Sequence, residues 1–200
     1  MSAQLDRKTS DKAELRRQQI LDAAAECFKK RGFHGASMAD ISKSFGMSCG
    51  HIYNYFESKE AIIEAMVARD LEHTLDRLAT LSEEKDLLKA LLLRTDEGVQ
   101  RRMVNSGMDA EILAEAGRNP KVAQTVQETD REIRERLATL VEHIHHTAGS
   151  PIDPDAVRAK TTLLMAIFDG LMIRAIRDPE VVKQNLGPTV RLMIQNLLAG

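Results

Sequence analysis

Two hundred residues, 43% apolar and 29% charged with a formal net charge of −2, describe a globular chain of one or two small domains, long enough to bury a core. No apolar run reaches the roughly 20 residues of a membrane helix, and the polar, charged N-terminus is unlike a secretory signal. Cys27 and Cys49 make no disulfide framework, which points to a reducing cytoplasm, and the small acidic net charge argues against nonspecific nucleic-acid binding by the chain as a whole.

The charge is uneven. Residues 1 to 60 hold ten Lys or Arg against eight Asp or Glu, a net of +2, and the remainder holds 18 against 22, a net of −4. A weakly basic head on an acidic body fits that asymmetry. Six of the seven aromatic residues (Phe28, Phe33, Phe45, Tyr53, Tyr55 and Phe56) precede residue 57, and Phe168 alone follows. A domain under sixty residues has little core, so large rings there are expected to pack inward. Tyr53 is the exception, expected outside.

A first helix is expected from about Ser10 to Arg31, with Ile20, Ala24, Cys27 and Phe28 on one face and Gly32 ending it. Lys8, Lys12, Arg16 and Arg17 precede its packed portion and can reach DNA phosphates or the minor groove. Residues 37 to 60 then read as two short helices across a tight turn. Ser37 caps the first, answered by Asp40 as in a capping box, and Met38, Ile41 and Phe45 face inward. Gly46 falls where the helix must end in a left-handed residue. Ser48 caps the second helix, with Ile52 and Phe56 inward and Gly50, His51, Tyr53 and Asn54 outward; Ser58 caps the next.

That pattern is a helix-turn-helix, and its outward residues suit DNA. Small residues at Ser48, Cys49 and Gly50 let a reading helix approach the major groove closely. Tyr53, Asn54 and Lys59 suit phosphates, and Ser37 and Ser48 place helix N-termini where a phosphate binds. A plain helical hairpin is the alternative from spacing alone.

The run from about 12 to 66 resembles the N-terminal domain of TetR-family transcriptional regulators. The resemblance is carried by Gly32-Phe33, Ser37, Ile41-Ser42, Gly46-Met47-Ser48, Gly50, Ile52-Tyr53-Asn54-Tyr55-Phe56 and Ser58-Lys59-Glu60. Ser42, where the family carries a small apolar residue, and Met47, where it carries Val, are the departures. The resemblance implies an all-α protein: an N-terminal three-helix DNA-binding domain at 10–57 and a larger helical effector-binding and dimerisation domain at 58–200. It also implies a homodimer formed through the last two long helices.

The remaining chain is helical by periodicity. One long helix runs from Ser58 to about Leu81, spanning about 35 Å. Further helices are expected at 84–103, up to 116, from Asn119-Pro120 to before Gly149, at 154–177, and from Pro188 onward. The helix at 154–177 is apolar on more than one side and has two faces to bury. Ala166 and Gly170 permit close approach of a second helix, and Val190, Met193, Ile194 and Leu197 form a stripe on the last one. These six are the expected twofold interface, with a monomeric bundle around a buried helix as the alternative.

Met103, Met108, Met165, Phe168 and Met172 are candidates to line an apolar effector pocket, since methionine adapts to varied ligands. Glu111, Glu115 and Asp169 hint at a cationic one. His143, His145 and His146 lack a completing Cys or carboxylate cluster, so neither metal nor cofactor is expected. No phosphate-binding glycine loop, nucleophile elbow or zinc-protease motif points to an enzyme. The expected function is a repressor released from a palindromic double-stranded operator by a small-molecule effector, without membrane association. The alternative is a DNA-binding protein of the same fold acting through protein contacts or nucleoid architecture.

Overall fold

The computed structural model describes residues 2–199, with side chains from Lys12 onward. The side chain of Lys8, expected near phosphates, lies outside the described residues. Nine α-helices and one 3-10 segment are present among the described residues, without strands. They are α1 (Ser2–Gly35), α2 (Met38–Phe45), α3 (Cys49–Tyr53), α4 (Lys59–Ser82), α5 (Leu87–Val104), α6 (Ser106–Ala116), α7 (Pro120–Thr147), α8 (Pro154–Arg177) and α9 (Gly187–Ala199). The 3-10 segment, Pro179–Lys183, begins with Pro after a capping Asp178 and has no counterpart in the helical periodicity of the sequence.

Two compact units emerge, 1–69 with 110–125, and 70–109 with 126–200. The boundaries therefore fall inside α4, α6 and α7, whereas the sequence suggested one cut at 57/58. Contiguity in sequence hides this, because α6 supplies part of the first unit from some eighty residues away.

The first unit is built on large apolar side chains, as a small core requires. Ile20, Leu21, Ala24 and Phe28 on α1 are buried with Phe33, Ile41, Ile52, Phe56, Ile62 and Ile63. The rings of Phe28 and Phe33 meet edge to face at 5.3 Å. Cys27 is buried here, and Tyr53 is exposed.

In the second unit, α5 packs against both α8 and α9. Leu87, Ala90, Val99 and Met103 meet Leu140, Val141 and Ile144 of α7, Leu164 and Leu171 of α8, and Val190, Ile194 and Leu198 of α9 in one apolar cluster. Asp96 sits against the start of α9: a Cβ built on Gly187 would lie 2.5 Å from its Oδ1. The same carboxylate pairs with Arg191. Gly187→Ala is therefore expected to displace Asp96 and break that pair, costing about 1–3 kcal/mol. Urea unfolding measures it, and an unchanged midpoint would show that the seat tolerates a methyl group.

Candidate nucleic-acid interface

The turn between α2 and α3 follows its local chemistry. Ser37 Oγ accepts from Asp40 N–H at 3.1 Å while Asp40 Oδ2 accepts from Ser37 N–H at 3.0 Å, completing the capping box. The Ser37 hydroxyl, donating to Asp40 Oδ2 at 2.6 Å, and then the Ser37 N–H, with the Arg31 guanidinium nearby, hold the Asp40 carboxyl below its ordinary range. A depressed carboxylate adds stability above its unfolded pKa and loses it as pH falls through the folded one. The acid loss of α2 helicity is thus expected at lower pH in the wild type than in Ser37→Ala, as circular dichroism across an acid titration would show.

Gly46 has φ 75° and ψ 26°, and Met47 N–H and Gly46 N–H close the end of α2 on Ser42 and Lys43 carbonyls. Ser48 Oγ accepts from His51 N–H at 3.3 Å, starting α3. Ser37, Ser48, Gly50, Tyr53 and Asn54 are exposed, while Cys49 and His51 are half-buried. The turn thus leaves these small and polar residues wholly or partly at the surface, while Ile52 of the same helix is buried.

Two cations expected near DNA phosphates also hold backbone carbonyls. Lys59 Nζ donates to the carbonyls of Phe33 at 2.8 Å and Ala36 at 2.7 Å, and lies 4.6 Å from the Phe33 ring centroid. It ties α4 to the end of α1, so the ammonium expected at a phosphate is also held by backbone oxygens. Arg17 donates to the Tyr55 carbonyl at 2.8 Å and stacks over Phe56 at 4.4 Å, joining α1 to the end of the reading helix. Both are signalled only weakly in sequence, since the partners lie 23 to 38 residues away.

Before α2 lies the turn at Gly32, whose φ 69° and ψ 165° interrupt α1. The Phe33 N–H is turned out of the helix and donates to Glu111 Oε2 at 2.8 Å. Glu115, with only 5% of its side chain exposed, places Oε2 3.2 Å from His34 Nε2. That nitrogen accepts from Arg118 Nε at 3.1 Å, which leaves Glu115 Oε2 without a hydrogen bond. Glu111 and Glu115, read from sequence as a hint of a cationic effector, instead meet the end of α1. Gly32→Ala forces an L side chain into a backbone conformation nearly confined to glycine, at an expected cost of about 1–3 kcal/mol in thermal or urea unfolding.

The expected effector residues are likewise redistributed. Met103, Met108 and Met172 are buried, and Met103 belongs to the apolar cluster of the second unit. Phe168 packs on that cluster and closes over Gly98, while Met165 is half-buried. Asp169 is exposed and paired with Arg102 at 2.7 Å, and Arg102 also reaches Asp109 at 2.9 Å. Burial pushes the Asp109 carboxyl up and Arg102 pulls it back. Two open clefts, of about 340 Å³ beside Cys27, Lys30 and Lys43 and about 580 Å³ beside Glu83, Lys89 and Leu93, are lined by none of the effector candidates.

The expected interface residues divide. Val190 and Ile194 point into their own unit, Ile194 with 0% exposure, so their assignment to a dimer face is corrected: α5 covers them. Leu197 packs on the same cluster. Ala166, Gly170 and Met193 are exposed. Leu163 and Ile173, 54% and 43% exposed, extend the α8 stripe at helical spacing. Of the three histidines near the end of α7, His145 is buried with Nε2 3.2 Å from Lys160 Nζ. No described helix is long and apolar enough to cross a membrane.

Known proteins resemble this arrangement closely. Residues 20–66 match a model of bacterial regulatory proteins of the tetR family, and residues 84–198 match the C-terminal region of BetI-type transcriptional repressors. The HTH-type transcriptional regulator UidR of Escherichia coli is 31% identical over 191 residues, covering 93% of this chain and 94% of that one. TtgR of Pseudomonas putida, also an HTH-type transcriptional regulator, is 29% identical and covers 88% and 87%. Among solved structures, Salmonella enterica GusR superposes with a TM-score of 0.75 at 29% identity over 92% and 95% of the two chains. FadR of Bacillus subtilis in complex with stearoyl-CoA, at 19% identity, shares the fold with a TM-score of 0.70 over 92% and 98%.

Proposed function

We infer the mode of action from one premise: the chain belongs to the TetR family of bacterial transcriptional regulators, and is itself a DNA-binding regulator of transcription. Its relatives named above are regulators rather than enzymes. The finer reading is that it represses, in the cytoplasm, by holding a near-palindromic operator as a homodimer, and that a small, mainly apolar effector releases it. The observation that carries this reading is the similarity of residues 84–198 to the C-terminal region of BetI-type repressors. The fold is also that of a protein solved with stearoyl-CoA, which favours an apolar effector. The cationic component expected from sequence loses its support, since Glu111 and Glu115 meet α1.

DNA recognition is assigned to the face built on Ser37, Ser48, Cys49, Gly50, His51, Tyr53 and Asn54. Dimerisation is assigned to the exposed stripe Leu163, Ala166, Gly170 and Ile173 on α8 with Met193 on α9. Selection from random duplex DNA tests the first assignment. The expected product has two half-sites whose centres are spaced by one helical turn of about 34 Å or a multiple. Tyr53→Phe is expected to weaken all sequences alike, and changes at Cys49 or His51 to alter preference. Equal affinity for random and selected duplexes at moderate salt rejects it.

Release is a coupling between two binding events. A hundredfold loss of operator affinity needs an effector that favours the non-binding arrangement by about 2.7 kcal/mol, and operator must weaken effector binding by the same factor. A thermal-shift screen of apolar amphiphiles supplies the effector, whose affinity is then measured with and without operator. The reading without an effector has one observation in its favour: Met103, Met108 and Met172 are already buried, so an entering ligand has to displace packed side chains. An effector affinity indifferent to operator supports that second reading.

A further inference from the structure

Glu111 and Glu115 stand one helical turn apart on α6 and meet two consecutive residues, Phe33 and His34, at the end of α1. Phe33 is held from several directions. Its N–H donates to Glu111, its carbonyl accepts from Lys59, and its ring lies against Phe28 and under the Lys59 ammonium. The second Lys59 bond, to the Ala36 carbonyl, ends at the residue before the Ser37 cap of α2. Residues 32–36 are thus the path by which α1 hands the chain to the helix-turn-helix. Because Gly32 leaves the helical conformation, the Phe33 N–H needs an acceptor outside α1, and a carboxylate is a strong one.

We propose that Glu111 is a positioning residue for DNA recognition: it touches no DNA, but its hydrogen bond to Phe33 sets the path into α2 and so the placement of α2 and α3 against the operator. This inference rests on the operator-binding reading above. It makes a residue of α6, 78 positions away from the backbone group it holds, part of the reading apparatus.

The test compares wild type, Glu111→Ala and Glu111→Gln on a duplex recovered by selection with the wild type and on a random duplex. Glutamine keeps an oxygen acceptor at the same reach; alanine removes it. Glu111→Ala is expected to bind the selected duplex roughly tenfold more weakly, the scale of one charge-assisted hydrogen bond. Its affinity for random duplex should stay within about twofold, because loss of register leaves the phosphate attraction in place. Glu111→Gln should recover most of the selected-site affinity. Hydrogen exchange of residues 32–36 should quicken in the alanine variant and return toward wild type in the glutamine variant.

An alanine variant that keeps wild-type affinity for the selected duplex overturns the inference. So does one that loses selected and random duplex in equal proportion as its melting falls, or a glutamine variant as weak as alanine. Should alanine prevent folding, Glu111→Asp carries the test: it keeps the charge, loses one methylene of reach, and has to reproduce the selective loss. A wild type with no preference among duplexes rejects the operator reading itself, and the inference with it. A selective wild type with an indifferent Glu111→Ala rejects only the inference.

Discussion

Ile194→Asp is expected to abolish the folded state of the second unit, whereas Met193→Asp, one residue earlier on the same helix, leaves it folded. Ile194 is wholly buried in the apolar cluster that α9 shares with α5 and the neighbouring helices. Replacing it removes apolar contact and places an unpaired charge in the cluster, a loss of about 4–5 kcal/mol or more, comparable with the whole stability of many domains. Met193 is 51% exposed and its aspartate meets water in the single chain. If the outer stripe of α8 and α9 is the twofold interface, Met193→Asp gives folded monomers that lose operator affinity. Circular dichroism distinguishes folding and light scattering distinguishes assembly. A folded Ile194→Asp would contradict the packing described, and a dimeric Met193→Asp would move the interface elsewhere.

The second large effect is expected at Lys59. Methionine preserves most of the stem and its contact with the Phe33 ring, but leaves the carbonyls of Phe33 and Ala36 without their donor. Two hydrogen bonds from a charged donor, partly buried, amount to about 2–4 kcal/mol of stability in the first unit. The same substitution separates two roles for this lysine. A phosphate contact predicts a shallower dependence of operator affinity on salt, by about one counterion. A structural tie predicts a lower melting point with the salt slope unchanged at temperatures where the variant stays folded. The latter is expected, and an unchanged melting point with a reduced slope would restore Lys59 to the DNA.

These two residues mark where local reading holds and where it stops. Ser37 with Asp40, Gly46, Ser48 and Ser58 cap their helices as their spacing implies, because caps and turns are decided by side chains within about four residues. The helical periods, the long α4, and the inward Ile41, Ile52 and Phe56 follow from the same short range, and the joint spacing of these motifs was enough to mark the family. Three features were set by tertiary structure alone. Lys59 and Arg17 were legible as cations but not as backbone clamps, since long flexible side chains take whichever acceptors the fold brings near. Apolar stripes on α8 and α9 do not say which partner covers each, so Val190 and Ile194 of α9 went to α5 while Leu163, Ala166, Gly170 and Ile173 of α8 and Met193 of α9 stayed outside. Glu111 carried no sign of its contact with α1. That contact exists only because Gly32 turns one N–H out of α1 and the fold carries α6 to it, a meeting that no periodicity can encode.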